Sequence, residues 1–218
     1  MIFIILPMLT KIKHDLNKLK NPCQAKNLQR FFKTGPGEYG EGDIFLGIKV
    51  PDQRKVAKKY LDIGFSDLQK LLNSQIHEYR LVALLVLVGK YKEKSKVLLN
   101  EIFDFYLKNT RRINNWDLVD LSAPKIVGDY LLNCAKTRRH LVSTDILYKL
   151  ARSKNLWERR ISIVATAAFI REHRFKHTLA ISKILLRDPH DLVHKAVGWM
   201  LREAGKRGQP VLEKFLDE

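Results

Sequence analysis

The chain has 218 residues, and 40 lysines and arginines against 23 acidic residues give it a formal charge of +17. Apolar residues make up 45% of the chain, enough for a core, which excludes a largely disordered basic protein. A folded chain with this charge favours a polyanionic partner, with nucleic acid first and an anionic membrane surface second. A soluble protein that is merely basic is the alternative.

The number of cysteines and the apolar stretch at the start of the sequence indicate the cellular compartment. Cys23 and Cys134 are too few for a disulfide framework or a four-thiolate metal site, and they fit a reducing compartment. The apolar stretch 1–8 lacks the basic region and the cleavage site of a signal peptide, and it is too short to span a membrane. We therefore expect a cytoplasmic protein with no membrane segment. We also expect it to be a monomer.

Helical periodicity dominates the chain, beginning with leucines and isoleucines at steps of three and four over 9–19. Strand-type alternation is scarce. We therefore predict an all-α protein that forms a single domain over 1–218. Further helices are predicted over 50–63, 66–73, 76–91, 96–108, 116–133, 141–152, 157–171, 177–187 and 190–204.

The segment 34–43 interrupts the helices with four of the chain's eleven glycines. Such a glycine-rich stretch must be a loop. It lacks the Lys-Ser/Thr pair of a phosphate-binding P-loop, and it contains Glu38, Glu41 and Asp43. We interpret it as a structural or lid-like loop.

An internal repeat organises the helices. Three segments share a turn followed by a helix that opens with a basic residue, at Arg80, Arg160 and Lys195. Arg80 and Arg160 are 80 residues apart, and half of that separation, 40 residues, is the typical length of a helix-pair repeat. A repeat of this length places Asp120 at the equivalent position between them. This spacing predicts a HEAT-like helical-repeat solenoid with a concave basic face. Arg80, Arg160 and Lys195 should line that face as a phosphate-binding row, interrupted by Asp120.

All three tryptophans lie near this row. Trp116 precedes Asp120 by four residues, on the same helix face. Aromatic surface beside basic residues can grip sugars and bases, which favours a binding role for Trp116 and Trp199. Trp157 is assigned to the core. One face of the helix near residue 195 carries Lys195, Trp199 and Arg202.

Asp120 allows two interpretations. It could form a structural ion pair with an arginine such as Arg160 of the next repeat. Alternatively, it could stabilise positive charge that develops on a substrate, or orient a water molecule, as the cleavage of a glycosidic bond requires.

Histidine pairs raise a competing metal hypothesis. His173 with His177, and His190 with His194, are spaced four residues apart. Neither pair belongs to an H-E-x-x-H motif or has an obvious third ligand. We therefore predict no metal site, and no cofactor is expected.

At Trp116-Asp117-Leu-Val-Asp120 the sequence resembles the AlkD-type DNA alkylation repair proteins, a family of HEAT-like-repeat alkylpurine DNA glycosylases. The resemblance extends from about residue 25 to 205. It implies hydrolysis of the N-glycosidic bond of cationic N3- or N7-alkylated purines in double-stranded DNA, without base flipping. Supporting motifs are Phe45-Leu-Gly-Ile-Lys-Val-Pro51-Asp-Gln-Arg54, Trp157-Glu-Arg-Arg160 and Lys195-Ala-Val-Gly-Trp199-Met-Leu-Arg202-Glu203.

By this resemblance, Asp120 corresponds to the catalytic carboxylate, and Trp116 and Trp199 to the aromatic pair that packs on the lesion nucleotide. Arg160 and Arg202 correspond to arginines that hold DNA phosphates. A departure lies near the N-terminal helices, where Phe31 or Phe32 falls near the position of a tyrosine.

Two other functions remain open from the sequence. The same solenoid could be a non-catalytic nucleic-acid-binding module, or a scaffold for acidic protein partners.

Overall fold

The computed structural model describes residues 7–92, 96–136 and 144–217. Within these ranges the chain is helical and contains no β-strand, apart from an isolated parallel bridge between Ile44 and Ile76. The all-α prediction is confirmed. Residues 1–6, which open the apolar start, and residues 141–143, which open the predicted helix 141–152, lie outside the described part.

Contacts divide the chain into two compact units, Met1–Leu98 and Leu99–Glu218. The single domain over 1–218 stays a prediction. In chain order the helices are α1 (Met8–Lys18), α2 (Pro22–Phe31), α3 (Val50–Lys58), α4 (Phe65–Leu72), α5 (His77–Tyr91), α6 (Lys96–Lys108), α7 (Trp116–Ala123), α8 (Asp129–Lys136), α9 (Asp145–Ala151), α10 (Leu156–Ala165), α11 (Ala167–Arg171), α12 (Lys176–Leu185), α13 (Asp191–Gly205) and α14 (Gln209–Leu216).

Two predicted helices are interrupted and two observed helices were not predicted. The predicted helix 116–133 is divided by a π-helical turn, Pro124–Gly128, because Pro124 has no N–H to donate to the carbonyl four residues earlier. The predicted helix 157–171 is divided at Thr166, whose hydroxyl donates to the Ile163 carbonyl. The helices that were not predicted are α2, which buries none of its residues, and α14, which buries only Phe215.

In the first unit, α3 and α4 pack on α5, whose residues are mostly buried. Glu78, in the first turn of α5, is fully buried and accepts hydrogen bonds from the backbone N–H groups of Leu46, Gly47 and Ile48 at 2.9, 2.8 and 3.2 Å. This carboxylate therefore fixes the segment that leads into α3.

The glycine-rich stretch 34–43 is a loop between α2 and α3, and two of its three acidic residues bond to its own backbone. Glu38 accepts from the N–H of Gly35 at 2.8 Å, and Glu41 from the N–H of Gly37 at 2.9 Å. These contacts use the glycine N–H groups that a bound phosphate would need, in agreement with a structural role.

In the second unit, α10 packs against α7 on one side and α13 on the other. Helix α9 packs on α10, and α12 packs on both α9 and α13. Helices α9 and α10 therefore form one pair and α12 and α13 the next, which is the helical-repeat organisation that the sequence predicts.

The residues that cap α7, α10 and α13 set the register of the repeat. These caps are Asn115, Asn155 and His190, and each accepts a backbone hydrogen bond with its side chain. Asp120, Arg160 and Lys195 each lie five residues after their cap, so the predicted register holds for these three.

Arg80 does not belong to that register. The cap of α5 is Ile76, so Arg80 lies only four residues after its cap and corresponds to Arg159. The expected equivalence of Arg80 with Arg160 is wrong by one residue, which is about 100° around a helix.

Hydrogen bonding supports this correction. Arg80 donates to the carbonyl of Ser74 at 2.9 Å, and Arg159 donates to the carbonyl of Ser153 at 3.0 Å, six residues back in both cases. Both arginines also pair with a buried aspartate: Arg80 with Asp43, and Arg159 with Asp188.

Candidate active site

Asp120 and Arg160 form a bidentate ion pair between neighbouring helices of the repeat. Arg160 donates from Nε to Oδ1 of Asp120 at 3.0 Å and from Nη2 to Oδ2 at 2.8 Å. Its Nη1 donates to the backbone carbonyl of Leu192 at the start of α13. One guanidinium thus joins α7, α10 and α13, and the planar fork of arginine suits the two carboxylate oxygens.

The two partners differ in exposure. The Arg160 side chain is 6% exposed and that of Asp120 is 17% exposed. The carboxylate is therefore held by the arginine while part of its surface remains open.

Burial raises the pKa of the Asp120 carboxyl above its ordinary value. The hydrogen bonds and positive charge of Arg160 oppose this rise, and the charge of Asp117 adds to it. A partly desolvated carboxylate interacts more strongly with a nearby cation than one in water does. The arrangement can therefore stabilise positive charge or orient a water molecule.

The three tryptophans differ in exposure. Trp157 is 7% exposed and belongs to the core of the second unit. Trp116 and Trp199 are half-buried, so both present part of an indole ring to solvent. Trp116 opens α7 directly after its cap, one helical turn before Asp120 and on the same face.

The basic residues of α13 lie on the surface. Lys195 is exposed and pairs with Asp191 at 2.9 Å. Arg202 is also exposed, and it forms no ion pair with any residue that the structure describes. Both side chains are open to a phosphate group.

The other two arginines of the predicted row have internal partners. Arg80 lies in the first unit, 3% exposed, and its Nη2 donates to the buried Asp43 at 2.6 Å. Arg160 has three of its five N–H groups engaged by Asp120 and Leu192. A phosphate would have to displace these partners, so the predicted phosphate row is open only at Lys195.

The histidine pairs do not form metal sites in the described part of the chain, where no cluster of three potential ligands occurs. His173 precedes α12 in a left-handed conformation, so it does not share a helix with His177. His177 instead forms a hydrogen bond with the Tyr148 hydroxyl at 2.9 Å, and burial lowers its pKa. His190 caps α13 by accepting from the N–H of Leu192.

The two phenylalanines near the N-terminal helices have different surroundings. Phe32 is buried and stacks on Phe45, with its ring near that of His77. Phe31 is 64% exposed.

Sequence reasoning missed Glu158 and Arg159, which join the loops in front of α7, α10 and α13. Glu158 accepts from the hydroxyls of Thr110 and Ser153 at 2.7 and 2.5 Å. Arg159 pairs with Asp188. A sequence signal could have identified Arg159: it follows Ser153 by six residues, the same separation at which Arg80 follows Ser74.

Comparisons with known proteins agree with this architecture. The family model of DNA alkylation repair enzymes matches residues 12–218. A solved structure described as a predicted DNA alkylation repair enzyme from Enterococcus faecalis is similar to this chain with a TM-score of 0.65 and 19% sequence identity, over 91% of this chain and 89% of that one. No curated protein matches the sequence. None of the described helices is long and apolar enough to cross a membrane.

Proposed function

The chain belongs to the family of DNA alkylation repair enzymes, and on that premise we propose that it hydrolyses the N-glycosidic bond of cationic N3- or N7-alkylated purines in duplex DNA. The observation that carries this proposal is the Asp120 carboxylate. It is oriented by two hydrogen bonds from Arg160, and its side chain stays 17% exposed. A carboxylate held in this way is positioned before the substrate arrives.

The charge of the substrate explains why one carboxylate suffices. When the bond from C1′ to the purine nitrogen breaks, the alkylated purine cation keeps the bonding electron pair and therefore leaves as a neutral base. No general acid is needed to protonate the leaving group, in contrast to the paired acids of most sugar glycosidases. The deoxyribose keeps the positive charge as an oxocarbenium-like cation.

Asp120 acts on that cation in two ways. Its negative charge stabilises the transition state, and its exposed oxygen accepts a hydrogen bond from the water that adds to C1′. The water loses a proton as the new C–O bond forms, and the raised pKa of Asp120 makes this carboxylate a better acceptor for it. Arg160 is a positioning residue, since it acts on the reaction through Asp120.

Trp116 and Trp199 supply aromatic surface for the lesion nucleotide. A half-buried indole can pack on a deoxyribose or a base, and such contacts are worth about 1–3 kcal/mol for each stacked base. Contact with the nucleotide's backbone does not require the base to enter a pocket, in keeping with excision without base flipping. Lys195 and Arg202 are the exposed cations of α13 that contact phosphates. Arg80 is left out because its guanidinium is buried against Asp43.

The second candidate function is a non-catalytic nucleic-acid-binding module. The observation that favours it is the bidentate geometry of the Asp120–Arg160 pair, because an ion pair of this kind can serve packing alone.

Release of free base from two sets of substrates tests the proposal. We expect the protein to release 7-methylguanine and 3-methyladenine from methylated duplex DNA. Duplexes containing uracil or hypoxanthine should yield no base, because these neutral groups need a proton donor to leave. Binding to methylated DNA with no release of either cationic base would contradict the enzyme and favour the non-catalytic module.

A further inference from the structure

The loops in front of α7, α10 and α13 carry a second set of cations. Arg112, Arg152 and Arg187 each lie three residues before the residue that caps the following helix. All three are exposed. Further exposed cations of the same loops are Arg111 and Lys154.

A polar network holds these loops together. Glu158 accepts from Thr110 in the first loop and from Ser153 in the second, at 2.7 and 2.5 Å. Arg159 then donates to the Ser153 carbonyl at 3.0 Å and to Asp188 in the third loop at 2.5 and 3.2 Å. The exposed arginines are one or two residues away from these tied positions, so the network sets where their backbones lie.

Charge is segregated across the network. Asp188 is the only acidic residue of the three loops and it is 8% exposed, facing Arg159. Both carboxylate oxygens of Glu158 also accept hydrogen bonds within the network. Within the described residues, none of the five loop cations forms an ion pair, although Arg152 donates to the Tyr148 carbonyl. The acids of the loops and of the network therefore bond inward, and the outward charge of the three loops is positive. The nearest exposed acid is Asp191, the first residue of α13, and it pairs with Lys195 at 2.9 Å.

We propose that this edge, defined by Arg111, Arg112, Arg152, Lys154 and Arg187, binds the phosphodiester backbone of DNA. The proposal rests on the proposed function in taking DNA as the polyanion. Packed helices lie about 8–10 Å apart, so three arginines that each precede one of the neighbouring helices α7, α10 and α13 span roughly 16–20 Å. This length matches about five to six nucleotides of one strand at a rise of about 3.4 Å.

The edge also borders the candidate active site. Arg159, which ties the second and third loops, is the chain neighbour of Arg160, which holds Asp120. A strand gripped at the edge is thereby placed at a set distance from the Asp120 carboxylate. The contacts are to phosphates, so they carry no preference for sequence or lesion.

The test is binding of an unmodified DNA duplex by the R112Q/R152Q/R187Q triple variant. Each lost phosphate contact should lower the slope of log K against log salt by about 0.9. We therefore expect the slope to fall by about 2.7, and affinity at about 0.1 M salt to fall on the order of a hundredfold. Fluorescence anisotropy across a salt series measures both quantities.

The matched control is R174Q/K176Q/K214Q, which removes the same charge from exposed positions of the same unit. Arg174 and Lys176 lie at the start of α12, one helix length of about 15 Å from the loop that carries Arg187. The control should change the slope by less than about one contact. Equal losses in the two triple variants, or an unchanged slope in the first, would overturn the edge.

Circular dichroism and thermal melting establish that each variant is folded, and the three single variants, expected to lose about 0.9 each, replace the triple if it is not. Base release by the wild type together with an unchanged slope in the variant rejects the edge alone. Slope loss in a protein that releases no base rejects the proposed enzyme and keeps the edge.

Discussion

Arg160 engages Asp120 with two of its nitrogens and the Leu192 carbonyl with the third. The sequence allowed this pair as one of two roles for Asp120, because both residues occupy the same position of successive repeats. It did not reveal that the arginine faces inward. Exposure depends on how α10 packs between α7 and α13, and a helix with neighbours on both sides has few solvent-facing positions.

Arg80 shows that residue type alone does not fix the alignment of one repeat with the next. The second repeat has adjacent arginines, Arg159 and Arg160, and either one aligns with Arg80 on residue type alone. Only the caps and the bond to the serine carbonyl distinguish them. The DNA-contact role of Arg80 was inferred from a register that its own hydrogen bonds rule out.

The role of Arg160 in positioning Asp120 predicts a shift in pH dependence. The reaction needs the Asp120 carboxylate, so its rate falls as pH drops through the pKa of this group. Burial raises that pKa and Arg160 opposes the rise; replacing Arg160 with Gln removes the opposing charge. We expect Arg160→Gln to move the acidic limb of the single-turnover rate profile to higher pH.

The control for that shift is Arg171→Gln, which breaks the pair with Asp129 elsewhere in the second unit. It should leave the acidic limb in place. A lower rate in Arg160→Gln with no movement of the limb would show that Arg160 serves packing alone.

At the scale of elements, capping residues proved more informative than apolar periodicity. Asn115, Asn155 and His190 begin the three helices of the repeat with the same cap function. Periodicity found the long buried helices but missed α2, which buries no residue. It also ran through Pro124, because the apolar pattern continues across the π-helical turn while the backbone hydrogen bonding changes.

The segment before α3 depends on a close backbone approach at Gly47. Its φ is +83°, and a Cβ there would lie 2.1 Å from the Asn21 carbonyl oxygen. Gly37 has a similar φ of +76°, but a Cβ there would meet nothing within 4 Å. A comparison of substitutions at Gly47 and Gly37 therefore distinguishes the cost of backbone strain from the cost of a steric clash.

We expect Gly47→Ala to lower the free energy of unfolding by more than about 2 kcal/mol, since strain and clash add. Gly37→Ala should cost about 1 kcal/mol, from the left-handed conformation alone. Urea denaturation monitored by circular dichroism measures both. Equal losses would mean that the chain near Asn21 moves aside and that Gly47 is needed only for its φ.

At the scale of the whole molecule, the charge of +17 is spread over positions with different uses. Arg80, Arg159 and Arg160 form internal ion pairs. Lys195 and Arg202 are exposed on α13, and further exposed cations lie in the loops before α7, α10 and α13. Net charge predicted the class of partner, and it could not show which cations face solvent.

The helical-repeat architecture was predictable because it follows from local periodicity and from a spacing of about 40 residues. The candidate site was predictable in part, since Trp116, Asp120 and Trp199 are marked by residue type and resemblance. The network of Glu158 and Arg159 was not, because its partners are far apart in sequence and polar residues in loops carry no periodic signal.

The most direct test of the central claim, that Asp120 carries out alkylpurine excision, compares Asp120→Asn with Asp129→Asn. Asp129 is a second helical carboxylate paired with an arginine, and burial raises its pKa as well. Single-turnover release of 7-methylguanine from methylated duplex DNA is measured for both variants, with DNA binding measured in parallel. The account predicts that Asp120→Asn binds DNA and loses release by at least about a hundredfold, while Asp129→Asn keeps the wild-type rate. Wild-type release by Asp120→Asn would contradict it.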